Sequence, residues 1–145
     1  MRSPQDSRMK SPNLPIVRTY MDTETHALSD SDDILVAVRR LIEEGVTDAP
    51  VVDAKGRVVG MLSEYQCLRL LAEGRDGEPP GGPVREFMAT ALTVVPPTMD
   101  VYYVAGMFLA EPTQRRFAVM EDDRLTGVVT RKDILRAVRV GLRGS

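Results

Sequence analysis

The sequence predicts a mixed α/β (α+β) chain built from two copies of one β-α-β-β-α unit, packed about a pseudo-twofold axis. The main observation is an internal repeat, because residues 17–71 align without a gap with residues 84–138 at an offset of 67. Eleven of the 55 aligned positions are identical, whereas chance would supply about three, which indicates duplication of one supersecondary unit. The stretch EGRDGEPPGGP lies between the two copies, and its glycine and proline content is typical of a linker.

The repeat divides the chain of 145 residues into four segments. They are an N-terminal tail at 1–16, a first repeat at 17–72, a linker at 73–83 and a second repeat at 84–140. The identical pairs include Met21 with Met88, Asp33 with Asp100, and Gly60 with Gly127. A chain of this length forms one compact domain, or two small ones that share a core.

Each copy predicts the same order of elements. The first copy has an extended stretch at His26–Leu28, strands at Pro50–Val52 and Val58–Leu62, and a closing helix from Glu64 to about Ala72. Between His26–Leu28 and Pro50–Val52, the sequence predicts a helix whose start Ser31 or Asp32 can cap. Its apolar stripe contains Ile34, Leu35, Val38, Leu41 and Ile42. The second copy has Thr93–Val95, Phe117–Met120, Leu125–Val129 and a helix from Arg131 to about Val140.

Composition excludes several classes of protein. The net charge of −2 argues against an electrostatic nucleic-acid binder. Residues 17–71 contain 6 basic and 10 acidic side chains, a net −4, whereas residues 84–138 contain 7 of each, so the second copy is the better host for an anion. Cys67 is the only cysteine and excludes an intramolecular disulfide, and no apolar run reaches the ~20 residues of a membrane span. We therefore expect a cytoplasmic protein without a membrane segment.

The most specific local motif is GVVTRKD at Gly127–Asp133. Thr130 is predicted at the start of a helix, where free backbone N–H groups and the helix dipole favour a phosphate. One turn later, Asp133 can accept hydrogen bonds from the two hydroxyls of a ribose. The alternative is that Thr130 and Asp133 form a capping box that only satisfies helix amides. Spacing alone leaves both interpretations open.

Placed in context, this motif resembles the end of a cystathionine-β-synthase (CBS) domain, and the doubled unit resembles the tandem CBS pair called a Bateman module. The resemblance extends from residue 17 to about residue 138 and includes several further motifs. These are Val-Arg-x-x-Met at Val17–Met21 and Val84–Met88, APVVD at Ala49–Asp53, and GRVVG at Gly56–Gly60. Their combination is much more specific than any one of them.

No metal-ligand spacing appears in the sequence, and the resemblance implies a regulatory module with no catalytic residue and no required cofactor. It would bind AMP, ADP, ATP or S-adenosylmethionine in the cleft between the repeats and transmit this to an unidentified effector protein, and it would form a homodimer. A catalytic role for His26, the only histidine, needs a partner nucleophile or carboxylate, and the sequence supplies neither in any known spacing. A different possibility is a scaffold that kept the fold and lost the ligand.

Carried over by position, the resemblance implies the following site residues. The main site would contain Thr130, Asp133, Arg116, Phe117, Ala118, Thr98 and Val95. Arg116 would contact phosphate, Phe117 and Ala118 the adenine, and Val95 and Thr98 would close over the nucleoside. The weaker site in the first repeat would contain Ser63, Gln66, Ala49 and Pro50. There Gln66 replaces the aspartate and Ala49 the arginine, so we expect the second repeat to bind the ligand more tightly.

Overall fold

The computed structural model describes residues 14–74, 77 and 81–143. Thirteen of the 16 residues of the predicted tail and five of the 11 residues of the predicted linker lie outside the described residues. Within the described ranges, the elements follow the order β-α-β-β-α twice, each time after a short helical turn. The predicted mixed α/β class, with two copies of one β-α-β-β-α unit, is therefore confirmed.

The bounds of the elements agree closely with the sequence pattern. The first copy contains α1 (Val17–Tyr20), β1 (Leu28–Ser29), α2 (Ile34–Glu44), β2 (Asp48–Val52), β3 (Val58–Ser63) and α3 (Glu64–Glu73). The second copy contains a 3₁₀ turn (Val84–Glu86), β4 (Val94–Val95), α4 (Val101–Ala110), β5 (Arg116–Glu121), β6 (Arg124–Thr130) and α5 (Arg131–Arg143). Both closing helices begin at the predicted residues, Glu64 and Arg131.

The chain forms two compact units. The lead-in of each repeat, Val17–Met21 or Val84–Met88, belongs to the unit built mainly from the other repeat. Among the described residues, one unit contains 14–24, Val94–Glu121 and 126–143, and the other contains 25–93 and Asp122–Leu125. Val17 of the first repeat is fully buried in a core with Val104 and Phe117 of the second. In the other unit, Val84 of the second repeat is fully buried among residues of the first. Each hydrophobic core is thus built mainly from one repeat and contains one buried valine from the other repeat.

Each unit contains one three-stranded sheet with the same topology. In the first-repeat sheet, β1 lies parallel to β2, with Leu28 opposite Val51, and β2 lies antiparallel to β3, with Asp48 opposite Ser63. The second-repeat sheet has the order β4-β5-β6, with β4 parallel to β5 and Val94 opposite Ala118. Since a tight turn at residues 122–123 joins β5 to β6, the start of β5 and the end of β6 lie at the same end of the sheet.

Equivalent aspartates begin the long helices of the two repeats. Asp33 is the N-cap of α2 and accepts a hydrogen bond from the Leu35 N–H at 3.0 Å, and Asp100 caps α4 by accepting from the Tyr103 N–H at 3.0 Å. The prediction that Ser31 or Asp32 caps α2 was wrong. The Asp32 carboxylate instead accepts from the Ser29 N–H at 3.1 Å and so belongs to the preceding turn.

The buried stripe of α2 is narrower than its apolar pattern. Ile34, Ala37 and Leu41 are buried, whereas Leu35 is 40% exposed and Ile42 is 75% exposed, although both were assigned to the same stripe.

None of the helices in the described ranges is long and apolar enough to cross a bilayer.

Candidate functional site

Thr130 and Asp133 form a reciprocal capping box at the junction of β6 and α5. The Thr130 N–H donates to Asp133 Oδ2 at 2.9 Å, and the Asp133 N–H donates to Thr130 Oγ1 at 3.3 Å. The other carboxylate oxygen of Asp133 pairs with the guanidinium of Arg136, and Asp133 is only 6% exposed. Both oxygens of Asp133 therefore have protein partners, which is the capping interpretation of the motif. A ribose would have to share the carboxylate with these groups.

The equivalent residues of the first repeat form the same cap at the start of α3. The Ser63 N–H donates to Gln66 Oε1 at 2.9 Å, and the Ser63 hydroxyl also contacts that oxygen. Ala49 and Pro50, the other two predicted residues of this site, are buried in β2. Of the four residues predicted for the weaker site, Gln66 is the one that lines a cavity.

That cavity borders α3 and has a volume of about 150 Å³. It is lined by Gln66, Arg69, Leu70, Glu73, Glu86 and Phe87. One guanidinium therefore faces two carboxylates, and Arg69 already pairs with Glu73 at 3.3 Å. A lining of this charge disfavours a phosphate group.

The first three residues of β5 are Arg116, Phe117 and Ala118. They lie at the same end of the sheet as Thr130. Arg116 is half-buried, whereas Phe117 and Ala118 are fully buried. The Phe117 ring stacks on the Phe108 ring, with 4.1 Å between their centroids and 14° between their planes. Phe117 thus packs in the core, and what it can offer a ligand in this conformation is its backbone.

Thr98 does not join this group, and Val95 joins it only as a buried residue of the core that contains Phe117. Val95 is 1% exposed and lies opposite Val119. Thr98 is exposed and follows Pro97, whose carbonyl accepts from the Arg18 N–H at 2.8 Å. Since the Arg18 side chain pairs with Glu121 at the far end of β5, Thr98 lies toward the end of the sheet opposite Thr130.

Sequence reasoning missed how the lead-ins attach. Asp22 and Val128 exchange two backbone hydrogen bonds of 2.8 and 2.9 Å, and Met61 and Ala89 exchange two of 2.9 Å each. The lead-ins approach Gly127 and Gly60 so closely that an added Cβ would meet the Met21 or Met88 side chain within 3.0 Å. The signal was present in the alignment, where both methionines and both glycines are repeat identities.

Arg131, the residue after Thr130, was also missed. Its guanidinium donates to the carbonyl oxygens of Pro112 and Gln114, the latter at 3.1 Å. Its Cζ atom lies 5.9 Å from the centroid of the Phe108 ring, which is within range of a cation–π contact. Arg131 therefore ties the start of α5 to the loop that precedes β5.

Two features outside the candidate site bear on chemistry. His26 Nδ1 lies 3.0 Å from Glu44 Oε1, and this hydrogen bond is the main cause that lowers the pKa of the Glu44 carboxyl. Cys67 on α3 is partly buried against the first-repeat core, and burial raises the pKa of its thiol.

The family model for the CBS domain matches residues 17–73 and residues 84–140. The chain belongs to the CBS domain family. Its two matched segments make it a tandem CBS pair, as the sequence predicts, and they coincide closely with the two repeats.

Solved CBS pairs have the same fold. The structure of the CBS pair protein CBSX2 from Arabidopsis thaliana is 27% identical, with a TM-score of 0.78, and the match covers 90% of this chain and 98% of that one. A structure of CBSX2 in complex with AMP is 26% identical, with a TM-score of 0.73, and the match covers 86% of this chain and 96% of that one.

A curated relative is an enzyme of which only a small part is matched. The A-adding tRNA nucleotidyltransferase of Aquifex aeolicus is 32% identical over 126 residues. The match covers 87% of this chain but 15% of the enzyme. The chain thus spans about a seventh of the length of this relative.

Proposed function

We propose that this CBS pair is a regulatory module that binds an adenosine-containing ligand, with AMP, ADP and ATP as the first candidates, and that it transmits binding to a partner protein. The observation that carries the proposal is the match, over 86% of the chain, to a CBS pair in complex with AMP. Its cytoplasmic setting is part of the proposal and relies on the single cysteine, Cys67.

The ligand binds chiefly to the second repeat. Arg116 lies there at the end of the sheet where β6 finishes with Thr130, Asp133 follows in the first turn of α5, and the repeat has no net charge. The first repeat has the buried Ala49 in place of the arginine, and its Gln66 cavity is lined by two carboxylates and one guanidinium. A phosphate is therefore more stable at the second site.

Calorimetric titration with AMP tests this assignment. Asp133→Asn keeps an oxygen that can accept from the Thr130 N–H but removes the charge that a ribose hydroxyl would use. A hydrogen bond to a charged group contributes about 1.5–3 kcal/mol, so we expect the affinity to fall about tenfold or more. Gln66→Ala removes the equivalent side chain of the first repeat and should leave the dominant binding step unaltered. Equal losses in both variants would contradict the ranking of the sites.

A ligand-free scaffold is the second candidate, and the two capping boxes favour it. In both repeats the polar pair already satisfies a helix start without any ligand. Thermal melting with AMP, ADP, ATP, adenosine and S-adenosylmethionine separates the two functions. A ligand at 100 times its dissociation constant adds about 2.7 kcal/mol to the free energy of unfolding. If none of these compounds raises the melting temperature, the scaffold function replaces the sensor.

The module acts as a homodimer in this proposal. Four repeat-related pairs of large apolar side chains are exposed, namely Leu35 and Tyr102, Val36 and Tyr103, Ile42 and Leu109, and Leu68 and Leu135. Exposed apolar patches mark interaction surfaces, and a twofold pair of copies is the commonest way to cover them. Light scattering at micromolar concentration should give the dimer mass, and Ile42→Asp combined with Leu109→Asp should give the monomer mass. A monomeric wild type would overturn this part.

A further inference from the structure

Arg131 is anchored by three contacts that all lead toward β5. Its guanidinium donates to the carbonyls of Pro112 and Gln114 in the loop 111–115. The same group lies 5.9 Å from the centroid of the Phe108 ring, which stacks in turn on Phe117. Arg116 follows this loop directly, and Phe117 is the next residue. Arg131 is therefore connected to the start of β5 both through the loop and through the two stacked rings.

The position is a poor one for a cation on grounds of helix stability. Arg131 is the first residue of α5, where the positive end of the helix dipole repels a positive side chain. The equivalent residue of the first repeat is Glu64, which the dipole favours. There the loop is held by a backbone hydrogen bond of 2.9 Å from the Glu64 N–H to the Thr47 carbonyl. The arginine tether therefore belongs to one repeat and is not required for the fold of the unit.

We propose that Arg131 is a positioning residue for the phosphate end of the second-repeat site. It fixes the loop 111–115, and with it the direction in which the chain presents Arg116 beside Thr130. The proposal rests on the proposed function, since it assigns Arg131 a role toward the ligand of that site. It makes Arg131 a determinant of the preference for a phosphorylated nucleoside over the bare nucleoside.

The test compares Arg131→Ala with Lys132→Ala. Lys132 is an exposed cation on the same turn of α5, so its removal changes the net charge equally. We expect Arg131→Ala to lower the affinity for AMP about tenfold and the affinity for adenosine less than about twofold, whereas Lys132→Ala changes neither by more than about twofold. Equal losses for AMP and adenosine in Arg131→Ala would show a merely structural role. Equal losses of AMP affinity in both variants would show a general charge effect, and either result overturns the proposal.

A second measurement needs no ligand. Amide hydrogen exchange of residues 113–116 should be faster in Arg131→Ala than in the wild type and unchanged in Lys132→Ala, because only the first loses the tether. Unchanged exchange in Arg131→Ala overturns the tether whatever the wild type binds. If the exchange responds but wild-type protein binds neither AMP nor adenosine, the proposed function has failed and the role toward phosphate fails with it.

Discussion

Substituting Gly127 by alanine should detach the first lead-in from β6. A Cβ at this position would lie 2.8 Å from Met21 Sδ and 3.0 Å from the carbonyl oxygen of Asp22. The thioether can move, but the carbonyl belongs to the two backbone hydrogen bonds between Asp22 and Val128. Overpacking costs about 1–3 kcal/mol and each lost hydrogen bond about 0.5–1.5 kcal/mol. We therefore expect Gly127→Ala to lower the free energy of unfolding by about 2–4 kcal/mol.

Gly60→Ala should be more damaging than Gly127→Ala. A Cβ there would lie 2.4 Å from Met88 Sδ, 2.8 Å from Met88 Cγ and 2.9 Å from the carbonyl oxygen of Ala89. Each distance is shorter than that to the equivalent atom at Gly127, where Met21 Sδ, Met21 Cγ and the Asp22 oxygen would lie at 2.8, 3.1 and 3.0 Å. The Ala89 carbonyl again belongs to a backbone pair, with Met61.

Urea denaturation of each variant measures these losses, and Gly106→Ala is the matched control. Gly106 lies within α4, and a Cβ there would meet nothing within 4 Å. Because alanine is the better helix former by about 0.8–1.0 kcal/mol, this control should raise the free energy of unfolding. The reasoning is refuted if Gly127→Ala is as stable as the wild type, or if it behaves like the control.

Three further experiments test other parts of the structure. Asp100→Ala should destabilise by about 2 kcal/mol and Asp33→Ala by about 1 kcal/mol in urea denaturation, because the first cap is fully buried and the second is exposed. Alkylation at pH 8 should modify Cys67 more slowly in the native protein than in the urea-unfolded chain, since burial raises the pKa of its thiol. The His26 hydrogen bond lowers the pKa of Glu44 from its ordinary 4.5, so ionised Glu44 stabilises the fold above pH 4.5 and this contribution is lost as the pH falls below that value. Glu44→Gln should therefore lose less stability than the wild type in melts between pH 5 and about pH 3; an unchanged pH profile would show that this pair does not contribute.

Local signals account for what the sequence predicted well. The apolar runs, the turn residues between them and the helix starts at Glu64 and Arg131 are each encoded within a few neighbouring residues. Competition between equivalent local partners explains the one wrong cap. Asp32 and Asp33 are both good N-cap residues, and the turn at Ser29 takes the first and leaves the second for α2.

Contacts between residues far apart in the chain account for what the sequence did not predict. Nothing local to Met21 indicates that it lies against Gly127, and nothing local to Arg131 indicates which carbonyls it reaches. In the candidate site, spacing did predict the Thr130 and Asp133 pair, because a capping box spans four residues. It did not predict that Thr98 lies toward the other end of the sheet, which depends on the direction of β4 relative to β5.

The exchanged lead-ins impose an order on folding during synthesis. The partner of Asp22 in the sheet is Val128, which leaves the ribosome 106 residues later. At about 5–20 residues per second, the first lead-in waits about 5–20 s for the strand that it joins. Nearly all of the unit Thr25–Thr93 is complete before that strand exists. For this time the nascent chain contains a nearly complete first unit and a lead-in whose backbone groups lack their partner strand. A second nascent chain on the same message can contact the lead-in in that state.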